Sequence, residues 1–366
     1  MRQLGNPPML YLSRGMRVLK TSVKRHLYRH VPYRLREAYE SFRFSCRYMR
    51  PNTVYLETTS ACNLNCVMCA AQRPATKRIK PSGFMDFELF TRLVDDIARD
   101  LPWVESVYLH KDGEPLLHPR IVEMVDYASR RHSNVTLVTN ATLLDEEKSR
   151  AILSTALQNI RFSVDGLTKA TFERVRIQRH DNEFAGMGLP VGFDAVMANI
   201  DRFLQLRQRA GNTILKVGLR TTDFKPTQAE LEAYVSHWSK RVEFVDVAGL
   251  SSWSGEVGKE TSAEGRQPCL SPWASLVVSW DGKLVPCCIY IDATGEKKGD
   301  LFDVSSSSLF ASLRATRRRA LMLAHLENTL AVEAPYCAGC RDWRAIPLPS
   351  RGRSRALAKL RSVAAD

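Results

Sequence analysis

The chain has 366 residues, 44% of them hydrophobic and 25% charged, with nine cysteines and a formal net charge of +14. Such a composition belongs to globular proteins and excludes a disordered or fibrous chain; the length suits one large domain and a smaller one. The charge sits at the ends, +10 over residues 1–50 and +5 over residues 341–366, which leaves −1 for the stretch between them. A nearly neutral body has no surface for tracking phosphates, so no nucleic-acid partner is expected.

The first predicted element is the basic extension over residues 1–50. In it Met9, Leu10, Tyr11, Leu12, Met16, Val18 and Leu19 interleave with Arg14, Arg17, Lys20, Lys24 and Arg25. It reads either as a solvated helical extension on the body or as an interfacial helix making peripheral contact with anionic lipid. No run approaches the roughly 18 apolar residues of a membrane span, and no signal core with a small-residue cleavage site opens the chain. Eight of the nine cysteines fall in two zones, 62–69 and 269–340, with Cys46 apart. An odd count in that arrangement fits a disulfide framework poorly, so the expected location is cytoplasmic, at the inner membrane face if the extension is interfacial.

From residue 51 to 250 short β-rich runs alternate with helical stretches. The runs are 54–58, 104–110, 135–140, 160–165, 214–220 and 243–248. Between them, near 86–100, 119–131, 145–157, 193–210 and 227–240, apolar residues recur at helical spacing, as in Leu89, Leu93, Val94 and Ile97. Alternating strands and helices imply right-handed crossovers and a parallel α/β sheet, here a partial (β/α)6 barrel with ligands at the strand C-terminal ends. Residues 178–192 hold three glycines and a proline and read as an inserted loop over the barrel mouth. A small module is expected over 251–345, opened by a hairpin around Asp281-Gly282, and a basic, disordered tail over 346–366.

Cys62, Cys66 and Cys69 form a C-x3-C-x2-C cluster just after the first strand. Three thiolates so close converge on one object, for which iron-sulfur ligation is the natural candidate; structural zinc is the alternative, although it closes with four protein ligands and none other lies nearby. Three ligands on a four-iron cube leave one iron open. Downstream, Cys269, Cys287, Cys337 and Cys340 give four thiols, enough to ligate a second cluster completely or to hold zinc, with Cys288 as a spare that could replace Cys287.

With the cysteine triplet, Gly113-Glu114-Pro115 after the second strand, Val138-Thr139-Asn140 at the third and Phe162-Ser163-Val164-Asp165-Gly166 at the fourth, the chain resembles the radical S-adenosylmethionine (SAM) superfamily over residues 52–345. The resemblance implies that SAM chelates the open iron through its amino and carboxylate groups. It further implies cofactor contacts from Gly113, Glu114 and Pro115, from Asn140 and Asp165, from Ser163 at the SAM ribose and from Arg220 at a carboxylate. Asp112 stands where the family usually has glycine. The C-terminal cysteines resemble a shortened SPASM, or Twitch, module, which implies one auxiliary [4Fe-4S] cluster beside the catalytic one.

That pair of modules is similar to the one in the 2-deoxy-scyllo-inosamine dehydrogenase of aminoglycoside biosynthesis. The likeness implies oxidation of an alcohol carbon in a sugar, aminocyclitol or similar polyol, with the auxiliary cluster as electron acceptor and a flavodoxin or ferredoxin as reductant. Peptide maturation, by thioether or carbon-carbon bond formation or epimerisation, is the alternative, and sugar-nucleotide decarboxylation, dehydration or epimerisation another. The catalytic base is not assigned; His110 and His118 stand near the barrel mouth, each read either as a base or as a packing residue.

Overall fold

The computed structural model describes residues 50–72, 82–177, 192–251, 253, 268–292, 299–342 and, further on, 354, 357, 358, 360 and 361. The N-terminal extension up to residue 49 with Cys46, the loop over 178–191 and most of the tail lie outside the described residues.

All six expected strands form: β1 (Thr53–Leu56), β2 (Ser106–Tyr108), β3 (Val135–Thr139), β4 (Asn159–Ser163), β5 (Lys216–Asp223) and β6 (Phe244–Gly249). They pair in parallel in sequence order. The crossovers are α1 (Phe87–Asp100), α2 (Ile121–Arg131), α3 (Glu146–Leu153), α4 (Lys169–Val175), α5 (Phe193–Arg209) and α6 (Leu231–Trp238). Local chemistry sets their starts. Asp86 accepts from the backbone N–H groups of Glu88 and Leu89, both at 2.9 Å, and opens α1; Asp145 and Thr168 cap α3 and α4 in the same way. The helix expected to run to residue 157 stops at Leu153, where Ser154 and Thr155 turn their hydroxyls back onto the carbonyls of Ala151 and Ile152. The helix expected from 227 begins at Leu231, after a short 3-10 turn over Gln228–Glu230.

Side chains alternate across each strand. Val54, Leu56, Val107, Leu109, Leu137, Ile160, Phe162, Val217 and Leu219 are buried under the helices, against Phe90, Leu93, Val94, Ile97, Met124 and Phe203. Each such side chain contributes about 1.5–3 kcal/mol on leaving water. The opposite, inner face carries Tyr55, Tyr108, His110, Arg161, Ser163, Arg220 and Asp246.

The C-terminal module joins the same sheet. Helix α7 (Ser271–Ala274) leads into β7 (Ser275–Val278), which pairs in parallel with β1 on the side away from β2. Strands β8 (Lys283–Val285) and β9 (Phe302–Asp303) follow antiparallel, completing the order β6-β5-β4-β3-β2-β1-β7-β8-β9. Gly282, at φ +78°, makes the expected hairpin turn. Helices α8 (Thr316–Glu327), α9 (Leu330–Glu333) and α10 (Pro335–Ala338) close the module. Buried Arg318 ties α8 to α7 by donating to the carbonyls of Leu313 at 3.0 Å and Pro272 at 2.9 Å. Among the described residues no helix is long and apolar enough to cross a membrane.

Candidate active site

The loop bearing Cys62, Cys66 and Cys69 leaves the C-terminal end of β1, and none of the three is in a disulfide. Its position is fixed by buried polar groups on three sides. Asn63, inside the cysteine motif, donates to Thr142 Oγ1 at 2.8 Å and accepts from Asn140 Nδ2 at 3.0 Å, which ties the loop to the end of β3. The backbone N–H groups of Asn65 and Val67 donate to the carbonyls of Ile177, just after α4, and of Val175, its last residue. Trp253 Nε1 donates to the Met68 carbonyl at 2.8 Å, and Ser251, whose hydroxyl accepts from the Trp253 N–H, donates to Asp342 at 2.9 Å, beside Cys340.

Gly113-Glu114-Pro115 packs directly against that loop. Glu114 N–H donates to the Ala61 carbonyl at 2.7 Å. A Cβ on Gly113 would stand 2.3 Å from the Thr59 carbonyl oxygen and 2.5 Å from that of Ala61, so this close approach requires glycine. The Glu114 carboxylate is buried and accepts from Leu116 N–H at 3.0 Å, Thr139 Oγ1 at 2.6 Å and Asn140 N–H at 2.6 Å. Burial pushes its carboxyl up, against the pull of those hydrogen bonds. Glu114 thereby joins the ends of β2 and β3.

Asp165 is fully buried and saturated: Arg176 donates to it through Nε at 2.9 Å and a terminal nitrogen at 2.6 Å, and Thr222 N–H donates at 2.6 Å. The other terminal nitrogen of Arg176 reaches Cys66 Sγ at 3.9 Å, so this ion pair carries positive charge to a cysteine of the triplet. Asn140 Oδ1 likewise closes a local turn, accepting from Thr142 N–H and Oγ1. Ser163 pairs in register with Arg220 on the neighbouring strand. Arg220 itself donates to Asp246 at 2.9 Å. The structure therefore joins Asn140 and Asp165 to the framework around the cysteine loop and puts Arg220 in a separate group on β4, β5 and β6.

The two histidines part company. His118 is engaged at both ring nitrogens, by the Met85 carbonyl at 2.9 Å and the Arg120 N–H at 3.0 Å. His110 lies edge-on to Tyr55 and Tyr108, and its Nδ1 is buried with no hydrogen-bond partner among the described residues. Burial, then the charges of Arg220 and Arg161, push it down to about 3, so the imidazole is neutral.

Cys269, Cys287, Cys337 and Cys340 line one cavity together with Pro286, Tyr290 and His325; Cys288 is not part of that lining. Lys111 is almost fully buried and ion-paired to Asp112 and Glu57. Burial pulls its ammonium down, but Asp112, Glu57 and a weaker contribution from Cys287 outweigh it and hold it up; Asp112 in turn pushes the Cys69 thiol up.

Both cysteine sets fit cluster ligation by their chemistry. Burial, more than the opposing Arg176, pushes Cys66 up, and burial with the neighbouring Cys66 and Cys62 sulfurs pushes Cys69 up, so three thiolates coexist here only beside a compensating cation. Among the described residues no three of His, Cys, Asp and Glu come close enough to share one metal ion.

Residues 56–223 match the radical SAM superfamily and residues 269–341 match the SPASM iron-sulfur cluster-binding domain. The chain carries a radical SAM domain followed by a SPASM domain. These two domains imply SAM and [4Fe-4S] clusters as cofactors. Among curated relatives, it is 36% identical over 117 residues to the tungsten-containing aldehyde ferredoxin oxidoreductase cofactor-modifying protein of Pyrococcus furiosus, covering 32% of each chain. It is 28% identical over 244 residues to the mycofactocin maturase MftC of Mycobacterium tuberculosis, covering 58% of this chain and 60% of the relative. The radical SAM chain thus spans between a third and three fifths of the length of these relatives. A crystal structure of BtrN in complex with AdoMet and 2-DOIA superposes with a TM-score of 0.52 at 14% identity, covering 82% of this chain and 97% of that one, which shows the shared partial barrel fold.

The long-range groups were not read from the sequence. Asn63 lies inside the cysteine motif at a position that ligation does not use, Arg176 stands eleven residues beyond Asp165, and Lys111 and Glu57 look like ordinary strand-end charges.

Proposed function

We propose that this radical SAM enzyme oxidises an alcohol carbon of a hydroxylated small molecule bound on the inner face of the barrel. The observation that carries the reading is the convergence of Cys269, Cys287, Cys337 and Cys340 on one cavity. Four thiols satisfy every iron of an auxiliary cube, which leaves that site to accept electrons instead of binding substrate. Cys62, Cys66 and Cys69 would hold the catalytic cluster, and Gly113, Glu114 and Pro115 would shape the SAM end of the site.

When bound, the cofactors supply reductive cleavage of SAM to a 5′-deoxyadenosyl radical, which takes a hydrogen atom from the carbinol carbon, and an acceptor for the second electron. The chain's own residues do the rest. Tyr55 and Tyr108, stacked with ring centroids 4.8 Å apart, wall the inner face. His110 Nδ1, buried and without a hydrogen-bond partner among the described residues, is the hydrogen-bond acceptor we assign to the substrate hydroxyl. Arg176 holds positive charge at Cys66 while its pairing with Asp165 fixes its position.

A second reading is peptide maturation, favoured by the 244-residue similarity to the mycofactocin maturase. Mass spectrometry of anaerobic reactions separates the two. Alcohol oxidation produces one 5′-deoxyadenosine per ketone formed, with deuterium carried from the carbinol carbon of a labelled polyol into 5′-deoxyadenosine; product formation only on a peptide would overturn the reading.

A further inference from the structure

We propose that Arg161 and Arg220, side by side on the inner face of β4 and β5, form a subsite for an anionic group of the substrate, a carboxylate or a phosphate. The proposal rests on the reading that substrate binds on this face, and it adds the chemistry that substrate must carry. Arg161 alternates with Ile160 and Phe162, both fully buried on the helix side, so its guanidinium is directed inward. There it lies 5.6 Å from the ring centre of Tyr108 and 5.2 Å from that of Phe244, an arrangement that restrains a planar cation between two aromatic walls.

The charges do not balance. Asp246 on β6 accepts from Arg220 at 2.9 Å and from Arg161 at 3.4 Å through the same oxygen, so two guanidiniums share one carboxylate. One positive charge is left over, and Arg161 Nε is buried with no hydrogen-bond partner among the described residues. The adjacent His110 is neutral and offers no countercharge. A guanidinium presents its donors as a rigid fork that matches the oxygens of a carboxylate or phosphate, and Arg220, with 45% of its side chain exposed, is open to such a ligand while Arg161 lies deeper. A wholly neutral polyol would leave both the excess charge and the Nε donor unanswered.

The test uses the full chain, reconstituted anaerobically with iron and sulfide, unreduced and saturated with SAM. Isothermal titration calorimetry with glucuronate, glucose 6-phosphate and glucose reads the subsite. At least one of the two acids binds, more weakly as salt is raised, while glucose gives no heat; the tighter acid identifies carboxylate or phosphate as the native group. Arg161→Gln weakens that binding at least tenfold. Asp246→Asn, which removes the shared countercharge, tightens it, and a gain of affinity is an outcome that misfolding does not produce. Equal binding of glucose, no binding of either acid, unchanged affinity in Arg161→Gln, or binding seen only without SAM, meaning that the SAM carboxylate fills the subsite, would each overturn the proposal. Release of 5′-deoxyadenosine by the same wild-type sample after dithionite reports separately on the underlying enzyme reading.

Discussion

Replacing Gly113 by alanine tests how the two loops of the SAM site depend on each other. The new methyl would lie 2.3 Å from the Thr59 carbonyl oxygen, where ordinary contact begins at 3.4 Å, so the β1 and β2 loops must part by about 1.1 Å. Both obstacles are backbone atoms, and the Glu114 N–H to Ala61 hydrogen bond of 2.7 Å that joins the loops would stretch with them. Overpacking of this kind costs about 1–3 kcal/mol in stability, which a chain of this size survives. Displacement of reacting groups by about 1 Å costs roughly a hundredfold in rate. The variant should therefore fold, retain both sets of iron and release 5′-deoxyadenosine about a hundredfold more slowly, measured by chromatography of dithionite-reduced samples alongside iron counts and circular dichroism. A Gly113→Ala enzyme that keeps its iron and cleaves SAM at the wild-type rate would refute the close-approach argument.

Three further outcomes are expected. The Cys62/Cys66/Cys69 triple alanine variant keeps about four irons per chain, held by the other cysteines, and loses SAM cleavage entirely. Arg176→Leu strands the fully buried Asp165 carboxylate and lowers stability by about 3–5 kcal/mol in chemical denaturation, and adding Asp165→Asn recovers part of the loss. Because the folded-state value of His110 lies near 3, well below the ordinary 6.5, the unfolded chain takes up the proton first as pH falls. Its contribution to stability is therefore complete above pH 6.5 and lost as pH falls toward 3; His110→Phe flattens the pH–stability curve across that window.

Most of the barrel was legible because a parallel sheet buried under helices leaves dense apolar runs: β3, buried at all five positions, is the plainest case. Strand ends were less so, since β5 runs on through Thr221 and Thr222 to Asp223, polar residues of which Thr221 and Thr222 donate to Asp165 across the sheet. Helix α4 escaped notice because seven residues with only Phe172 and Val175 as large apolar anchors show no clear period. The cysteine positions were read directly, because thiol spacing in sequence constrains ligation. What holds them in place was not: Asn63 meets Asn140 across 77 residues, and Trp253 meets Met68 across 185, contacts that only the folded sheet brings together. That Cys287 lines the cavity with the other three cysteines and Cys288 does not is likewise a matter of the fold.

The most direct test of the two-cluster account is anaerobic reconstitution of the wild-type chain, with iron and sulfide counted and SAM cleavage followed after dithionite addition. The account predicts about eight irons per chain and release of 5′-deoxyadenosine. About four irons, or bound zinc, with no 5′-deoxyadenosine released would contradict it.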